Sequence, residues 1–309
     1  MAGEEAQPPF PNVPGVEHGF VDAGGLRVHV ATAGDPASPP LVLLHGWPEH
    51  WYMWRGVVPL LAPHFRLHMP DLRGHGWTDA PPGPMDKDQL ATDLLATLDA
   101  LGLERVGMVG HDWGGWTAYL AGLRAPERFE RLLALNIVPP WTRVLRPQLL
   151  TSGWRLSYQW LAGAPILGPW AHRDGRFIAR ALTTHDAEAF STMELEAFVA
   201  PWRQPDRALA GSRLYRTMVA RETPELLRGR FRDAHFEVPT LLLHGDRDFA
   251  QPPWMLDGLE ERAADFTVER VPGVGHFIAE ARPRLVAERA LEFFGAATTT
   301  PAPVAVSED

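Results

Sequence analysis

Short apolar runs alternate with amphipathic segments along most of the chain. The runs span four to eight residues and are rich in Val, Leu and Ile, which is typical of buried strands. They lie at 26–33, 41–44, 65–69, 106–109, 132–137, 240–243 and 266–271. Segments with helical spacing lie at about 51–62, 87–102, 115–124, 254–263 and 283–294. This alternation predicts antiparallel strands followed by β-α units, and therefore a mostly parallel sheet with helices on both faces.

The alternation stops after Pro139 and Pro140, and the strand pattern resumes only at Thr240. The intervening sequence is rich in helix-like segments and has no clear strand. We therefore predict a helical cap over 140–237, inserted into a core made of 15–139 and 238–296. Five of the twelve tryptophans fall in this cap, which suits either the roof of an apolar pocket or the cap's own core.

Composition indicates a globular protein with loose ends. Hydrophobic residues make up 45% of the 309 residues and charged residues 22%. The terminal segments 1–14 and 297–309 are rich in Pro and polar residues, and we expect both to be loose tails. The net charge of -9, without a basic cluster, argues against binding to nucleic acid or an anionic membrane.

The cysteine content and the hydropathy of the chain exclude several kinds of functional site and of protein. The absence of cysteine excludes disulfides, thiolate catalysis and cysteine-ligated metals. No apolar stretch approaches the ~18 residues of a membrane span, and the first residues lack the pattern of a secretory signal. We expect a cytoplasmic enzyme whose oligomeric state the sequence does not reveal.

The stretch GHDWGG, residues 110–115, carries the main chemical signal. It lies between an apolar run and a helix-like segment and has the pattern G-x-nucleophile-x-G of a nucleophile elbow, a sharp turn that small residues permit. Asp112 occupies the nucleophile position. A carboxylate attacks a saturated carbon that bears a leaving group, such as an epoxide oxygen or a halide, and forms an ester with the enzyme.

Hydrolysis of that ester requires a general base and an acidic residue that orients it. Such an elbow is followed along the chain by the acid and then by the histidine. His276 follows the last predicted strand and a Gly-rich loop, where its side chain can reach the sheet edge. Asp246 and Asp248 both follow the strand at 240–243. We favour Asp248, with Asp246 capping or solvated, and the position after the strand at 132–137 carries Asn136, which supplies no charge.

The ester carbonyl also needs hydrogen-bond donors when it becomes an oxyanion. The loop HGWP, residues 45–48, follows an earlier strand, and we predict the main-chain N–H groups of Trp47 and Trp113 as these donors. The loop DLRGHG, residues 71–76, is expected at the same sheet edge in a structural role.

Five motifs give the chain a resemblance to α/β-hydrolases of the soluble epoxide hydrolase type. The resemblance covers roughly residues 16–296. The motifs are HGWPEHWYMWR (45–55), DLRGHG (71–76), GHDWGG (110–115), HGDRD (244–248) and GHFIAE (275–280).

The family also has two cap tyrosines that hold and protonate the epoxide oxygen. Tyr158, in a Tyr-Gln pair, and Tyr215, in the segment Leu-Tyr-Arg-Thr, are similar to them, although Thr217 replaces the family's Asn. Tyr52 and Tyr119 fall in candidate sheet-flanking helices and are expected to be structural.

The resemblance implies an α/β-hydrolase fold with a helical cap and a reaction in two steps. Asp112 would open an apolar epoxide while the two tyrosines donate to its oxygen, and His276, oriented by Asp248, would activate water to release a 1,2-diol. It implies no metal or organic cofactor, and a small epoxide and water as the only partners. Five further residues, most of them within these motifs, are also expected at the substrate pocket: His45, Pro48, His111, Gln159 and Phe277.

Two other functions fit parts of the pattern. A haloalkane dehalogenase has the same Asp nucleophile and following Trp, but it needs a second halide donor from an Asn at the Trp47 position or from a cap tryptophan. A non-catalytic binding protein on the same fold is the other alternative. The cap tyrosines favour the epoxide hydrolase.

Overall fold

The computed structural model describes residues 7–142 and 153–295. An eight-stranded sheet forms its centre, with strands β1 (Glu17–Ala23), β2 (Leu26–Ala33), β3 (Pro40–Leu44), β4 (Arg66–Pro70), β5 (Val106–His111), β6 (Phe129–Leu135), β7 (Thr240–Gly245) and β8 (Phe266–Val271). Their spatial order is β1-β2-β4-β3-β5-β6-β7-β8. β2 pairs antiparallel with β1 and β4, and all the later pairs are parallel.

Helices cover both faces of this sheet. Those of the core are α1 (Val58–Leu61), α2 (Lys87–Ala100), α3 (Trp113–Arg124), α10 (Ile278–Ala281) and α11 (Pro283–Phe294). Alternate residues of β3 belong to different apolar clusters: Leu41 and Leu43 pack with α1 and α11, and Val42 and Leu44 pack with α2 and α3. Both faces of the parallel strands are therefore buried, which explains their continuous apolar runs.

The described chain between β6 and β7 is helical. It contains α4 (Tyr158–Gly163), α5 (Leu167–Asp174), α6 (Arg176–Asp186), α7 (Thr192–Val199), α8 (Pro205–Thr217) and α9 (Thr223–Leu227), with a π-helical turn at Met218–Glu222. The apolar side chains of this cap form one continuous cluster with those of the sheet face beneath it. The cap tryptophans divide: Trp141 and Trp202 are buried, whereas three are largely exposed, namely Trp154, Trp160 and Trp170.

All seven predicted strands are present, but their bounds and those of the helices differ in places. β1 was not predicted, because it is an exposed edge strand without an apolar run. β6 ends at Leu135, since Asn136 takes a positive φ of 47°. The helix predicted over 254–263 is wrong, because only two short 3₁₀ turns form on either side of Gly258, whose φ is 70°. The segment 51–62 divides into a 3₁₀ turn and α1.

The N-terminal segment was predicted to be loose, and from residue 7 onward this is wrong. The ring of Phe10 stacks on that of His18, with centroids 4.1 Å apart, and Val13 is buried. The indole of Trp77 also donates a hydrogen bond to the carbonyl of Pro8 at 2.8 Å. These contacts hold the segment against the core. Residues 1–6 and the predicted C-terminal tail at 297–309 lie outside the described residues.

Candidate active site

Asp112 lies at a strained turn between β5 and α3. Its φ of 48° and ψ of −125° are rare for a residue with a side chain. Small neighbours make the turn feasible. A Cβ on Gly46 would lie 2.4 Å from that of Asp112, and one on Gly114 would lie 2.4 Å from the carbonyl oxygen of His45. The sequence therefore forms a nucleophile elbow with the carboxylate lifted out of the main chain.

The two oxygens of the Asp112 carboxylate have different surroundings. Oδ2 accepts a hydrogen bond from the main-chain N–H of Trp47 at 2.9 Å. Oδ1 lies 3.7 Å from Nε2 of His276. Trp113 is the first residue of α3, so its N–H has no acceptor within the helix, and the helix N-terminus favours negative charge here. One carboxylate oxygen is thus held by the main chain, and the other faces the histidine.

His276 and Asp248 form a buried pair. Nδ1 of His276 lies 2.8 Å from Oδ2 of Asp248. Burial lowers the pKa of His276, but the charge and hydrogen bond of Asp248 and the charge of Asp112 outweigh it and raise that pKa to about 9. Burial raises the pKa of Asp248, and the charge and hydrogen bond of His276 outweigh it and lower that pKa to about 2. The pair therefore rests as imidazolium and carboxylate at neutral pH.

The carboxylate of Asp248 is fixed by several further donors. The main-chain N–H of Ala250 donates to Oδ1 at 2.8 Å, and that of Gln251 at 3.2 Å. The side-chain amide of Asn136 donates to Oδ2 at 2.8 Å. Asp246, in contrast, is exposed and accepts from the N–H of Gly273 at 2.8 Å. The structure thus gives Asp248 the position beside the histidine and Asp246 that of a turn cap.

Asn136 supplies no charge, but its side chain contacts both Asp248 and the loop that carries His276. Besides Asp248, its amide donates to the carbonyl of Gly275 at 3.1 Å, in the loop that carries His276. Its side chain therefore joins the acid to the histidine loop. Asn136 has a positive φ, which asparagine adopts more readily than most residues. The residue type was therefore the only local indication in the sequence that the chain turns here.

The two cap tyrosines lie beside Asp112. Their rings meet edge to face, with centroids 5.7 Å apart, and each also packs on the indole of Trp47. Burial raises the pKa of Tyr158, and the negative charge of Asp112 raises it further. Burial, then the neighbouring Tyr158 and the charge of Asp112, raise the pKa of Tyr215 well above its usual value. Both hydroxyls therefore keep their protons and can act as donors.

Two cavities meet at Asp112, and Tyr158 and Ala250 also line both. One cavity has a volume of about 140 Å³, and apolar side chains such as Trp116, Ile137, Leu156 and Met218 form most of its wall. The other has a volume of about 420 Å³, within the range of small-molecule sites, and contains Tyr215, His276 and Phe277. A bound molecule can therefore extend to either side of Asp112.

Of the five further residues predicted at the substrate pocket, two line a cavity: Gln159 lines the first and Phe277 the second. The prediction was wrong for the other three, because neither cavity is lined by His45, Pro48 or His111. His45 is fully buried, and its Nε2 accepts a hydrogen bond from the main-chain N–H of Leu72 at 2.9 Å. The carbonyl of Pro48 accepts from the indole of Trp202 at 2.8 Å. Hydrogen bonds direct these groups into the protein.

His111 lies behind His276. Its Nε2 is 2.9 Å from the carbonyl oxygen of His276, and its Nδ1 is 3.2 Å from a carboxylate oxygen of Glu49. Both side chains are fully buried. Glu49 follows Pro48 in the HGWPE motif, but nothing in that motif indicated that it would reach the histidine loop.

The described residues contain neither a cluster of metal ligands nor a membrane-spanning helix. Residues 7–142 and 153–295 contain no group of three or more His, Asp or Glu side chains placed to hold a metal ion. No helix within the same ranges is long and apolar enough to cross a membrane.

Comparisons with known proteins show to which family the chain belongs. A family model described as alpha/beta hydrolase fold matches residues 39–283. A soluble epoxide hydrolase of Corynebacterium sp. (strain C12) is 30% identical over 290 residues, which are 90% of this chain and 97% of that protein. The chain belongs to the soluble epoxide hydrolase family. The resemblance seen in its motifs is thereby confirmed.

Two further epoxide hydrolases are similar to the chain, one in sequence and one also in structure. Epoxide hydrolase 4 of Homo sapiens is 32% identical over 243 residues, which cover 72% of this chain and 63% of that protein. The solved structure of epoxide hydrolase CorEH without ligand has a TM-score of 0.77 and 31% identity, and the match covers 91% of this chain and 99% of that one. The predicted α/β-hydrolase fold is therefore confirmed as well.

Proposed function

We propose that the protein hydrolyses apolar epoxides to 1,2-diols through a covalent ester on Asp112. The observation that carries this proposal is the pair of protonated tyrosines, Tyr158 and Tyr215, in the same cavity as Asp112 and His276. An epoxide needs a nucleophile on one side and a proton donor for its oxygen on the other. Relatives named epoxide hydrolase add support.

In the first step, Oδ1 of Asp112 attacks an epoxide carbon, and the carbon–oxygen bond of the ring breaks. The oxygen takes a proton from Tyr158 or Tyr215. Forming the ester removes the charge of Asp112, which had helped to raise the pKa of His276. The imidazolium becomes more acidic and returns a proton to the tyrosinate. His276 is then neutral and available as a base.

In the second step, His276 takes a proton from water, and the resulting hydroxide attacks the ester carbonyl carbon of Asp112. The carbonyl oxygen is Oδ2, which already accepts the N–H of Trp47, and the N–H of Trp113 is the proposed second donor to the oxyanion. The bond from carbonyl carbon to the diol oxygen breaks, and that oxygen takes the proton of the acid left on Asp112. Carboxylate and imidazolium are restored, so the net reaction is epoxide plus water to diol.

A dehalogenase remains the second candidate, since Asp112 could equally displace a halide. It requires indole donors, and three are engaged elsewhere: Trp47 donates to His172, and Trp141 and Trp202 donate to main-chain carbonyls. Among the described residues the indole N–H of Trp113 makes no hydrogen bond of standard geometry, although it lies close enough to the Tyr215 hydroxyl to lower the pKa of that group. The tyrosine pair nevertheless favours the epoxide.

Turnover of purified protein on styrene oxide and on 1-bromobutane separates these functions. We expect diol from the epoxide and no bromide release. Bromide without diol would instead assign the chain to the dehalogenases. Asp112→Asn serves as the control, because it removes either activity but would leave a non-catalytic ligand-binding function intact.

A further inference from the structure

The loop that carries His276 is held from the cap as well as from the core. Asp186 is the last residue of the cap helix α6, and its side chain is buried. Its Oδ1 accepts the main-chain N–H of Gly275 at 3.0 Å, and its Oδ2 accepts that of Phe277 at 3.1 Å. These amides belong to the residues immediately before and after His276. One carboxylate of the cap therefore binds the main chain on both sides of the histidine.

The local sequence accommodates this carboxylate. A Cβ on Gly275 would lie 2.3 Å from Oδ2 of Asp186, so only glycine leaves room for the carboxylate. Gly275 does not adopt a positive φ, and space rather than backbone conformation therefore explains the glycine. A carboxylate at a helix C-terminus also faces the negative end of the helix dipole, so Asp186 does not serve the stability of α6.

The other hydrogen bonds of the loop come from the core. Asn136 donates to the carbonyl of Gly275, His111 lies 2.9 Å from the carbonyl oxygen of His276, and Asp248 binds the imidazole. These groups hold one side of the loop, and the two N–H groups are held by Asp186. Hydrogen bonds from N–H groups to a carboxylate are among the stronger ones in proteins.

We propose that Asp186 is a positioning residue that couples the closed cap to the orientation of His276. Only when α6 is seated does its carboxylate fix the two amides, so the imidazole has its working orientation when the cap covers the cavity. The proposal rests on the proposed function, because it concerns the hydrolytic step that His276 performs. Opening of the epoxide uses Asp112 and the tyrosines and does not depend on Asp186.

The test is a comparison of both half-reactions in Asp186→Ala and Asp186→Asn with the wild-type protein. Single-turnover mixing with styrene oxide, followed by acid quench and mass spectrometry, measures the ester on Asp112 and the diol separately. We expect Asp186→Ala to slow diol release by roughly 10- to 100-fold while ester formation stays within a few-fold, because an error of ~1 Å in a catalytic group costs about 100-fold. Asp186→Asn keeps one acceptor oxygen, and its rate of diol release should lie between those of the wild-type protein and Asp186→Ala.

Two further variants separate positioning from general damage to the cap. Asp174→Ala removes the carboxylate at the end of the preceding helix α5, where Asp174 binds the exposed Arg176, and should leave both half-reactions unchanged. Gly275→Ala pushes on the same carboxylate from the other side. It should reproduce the slow release and add little in the Asp186→Ala background, since the group it clashes with is then absent.

The outcomes are distinct. Equal losses in both half-reactions, or an unchanged ratio of ester formation to diol release, would overturn the positioning role. A Gly275→Ala defect that adds in full to that of Asp186→Ala would do the same. Failure of the wild-type protein to form any diol would instead contradict the proposed function itself.

Discussion

The main-chain N–H of Trp47 donates a hydrogen bond to Oδ2 of Asp112 at 2.9 Å, while Oδ1 lies 3.7 Å from Nε2 of His276. In the proposed mechanism, Oδ2 becomes the carbonyl oxygen of the ester and Oδ1 attacks the epoxide. The N–H of Trp47 that binds the resting carboxylate then also binds the oxyanion of the hydrolytic step. Little rearrangement is required between the two steps.

Replacement of His276 by Gln should separate the two half-reactions. Asp112 and the tyrosines remain, so the ester still forms, but no base activates water. We expect steady-state turnover to fall by roughly 10²- to 10⁴-fold, the usual contribution of a general base. Mass spectrometry of the intact protein after incubation with styrene oxide should find the adduct on Asp112. An unmodified Asp112 under these conditions would count against the two-step scheme.

Loss of the tyrosine hydroxyls should slow ring opening. A hydrogen bond to a charged group contributes about 1.5–3 kcal/mol, so Tyr158→Phe and Tyr215→Phe should each lower the rate of ester formation by roughly 10- to 100-fold. The double variant should be nearly inactive, since the epoxide oxygen then has no donor. Single-turnover ester formation is the measurement.

Tyr119→Phe is the matched control for the tyrosines. The hydroxyl of Tyr119, in α3, is buried and has no hydrogen-bond partner among the described residues, so its removal should leave the rate unchanged. Full activity of the Tyr158→Phe, Tyr215→Phe double variant would contradict the role given to the pair.

The pKa of His276 should depend on the charge of Asp112. In the wild-type protein the pKa is about 9, and Asp112→Asn should lower it because one of the raising charges is lost. An NMR titration of the His276 ring in both proteins measures this difference. An unchanged value in Asp112→Asn would contradict the proposal that ester formation converts His276 into a base.

The same pKa has a consequence for stability. The pKa of His276 in the folded protein lies above the value of about 6.5 expected in the unfolded chain. Protonation of His276 therefore stabilises the fold, and this contribution is complete below about pH 6.5 and is lost as the pH rises through about 9. The free energy of unfolding, measured with urea across this interval, should decline less in Asp112→Asn than in the wild-type protein.

The two candidate acids should respond differently to loss of charge. Asp248→Asn removes the charge that fixes the imidazole and should slow diol release by up to about 10⁴-fold, as is found when the acid of a catalytic triad becomes an amide. Asp246→Asn alters an exposed turn cap and should have little effect. The comparison uses diol release under single-turnover conditions, and the reverse order would mean that Asp246 is the acid.

The sequence was sufficient for those parts of the site that local patterns encode. Asp112 lies in a strand–turn–helix motif, and His276 and Asp248 follow strands whose ends meet at one sheet edge. The parallel strands were recognisable because burial on both faces leaves continuous apolar runs. The edge strand β1, which lacks such a run, was missed.

Contacts between distant segments could not be predicted. Asn136 reaches Asp248 over 112 positions, and Asp186 reaches Gly275 over 89. No local pattern marks either pair. The direction of the side chains could not be predicted either. His45 and His111 belong to two of the motifs, yet hydrogen bonds direct both into the protein and away from the cavities.

The central claim is that Asp112 forms the ester and that water attacks its carbonyl carbon. A single turnover of styrene oxide in ¹⁸O-labelled water, with excess enzyme, tests this most directly. The account predicts an unlabelled diol and ¹⁸O in the Asp112 carboxylate, because the diol takes its new oxygen from the enzyme. Label in the diol with none in Asp112 would mean that water attacks the epoxide directly, and the ester mechanism would be wrong.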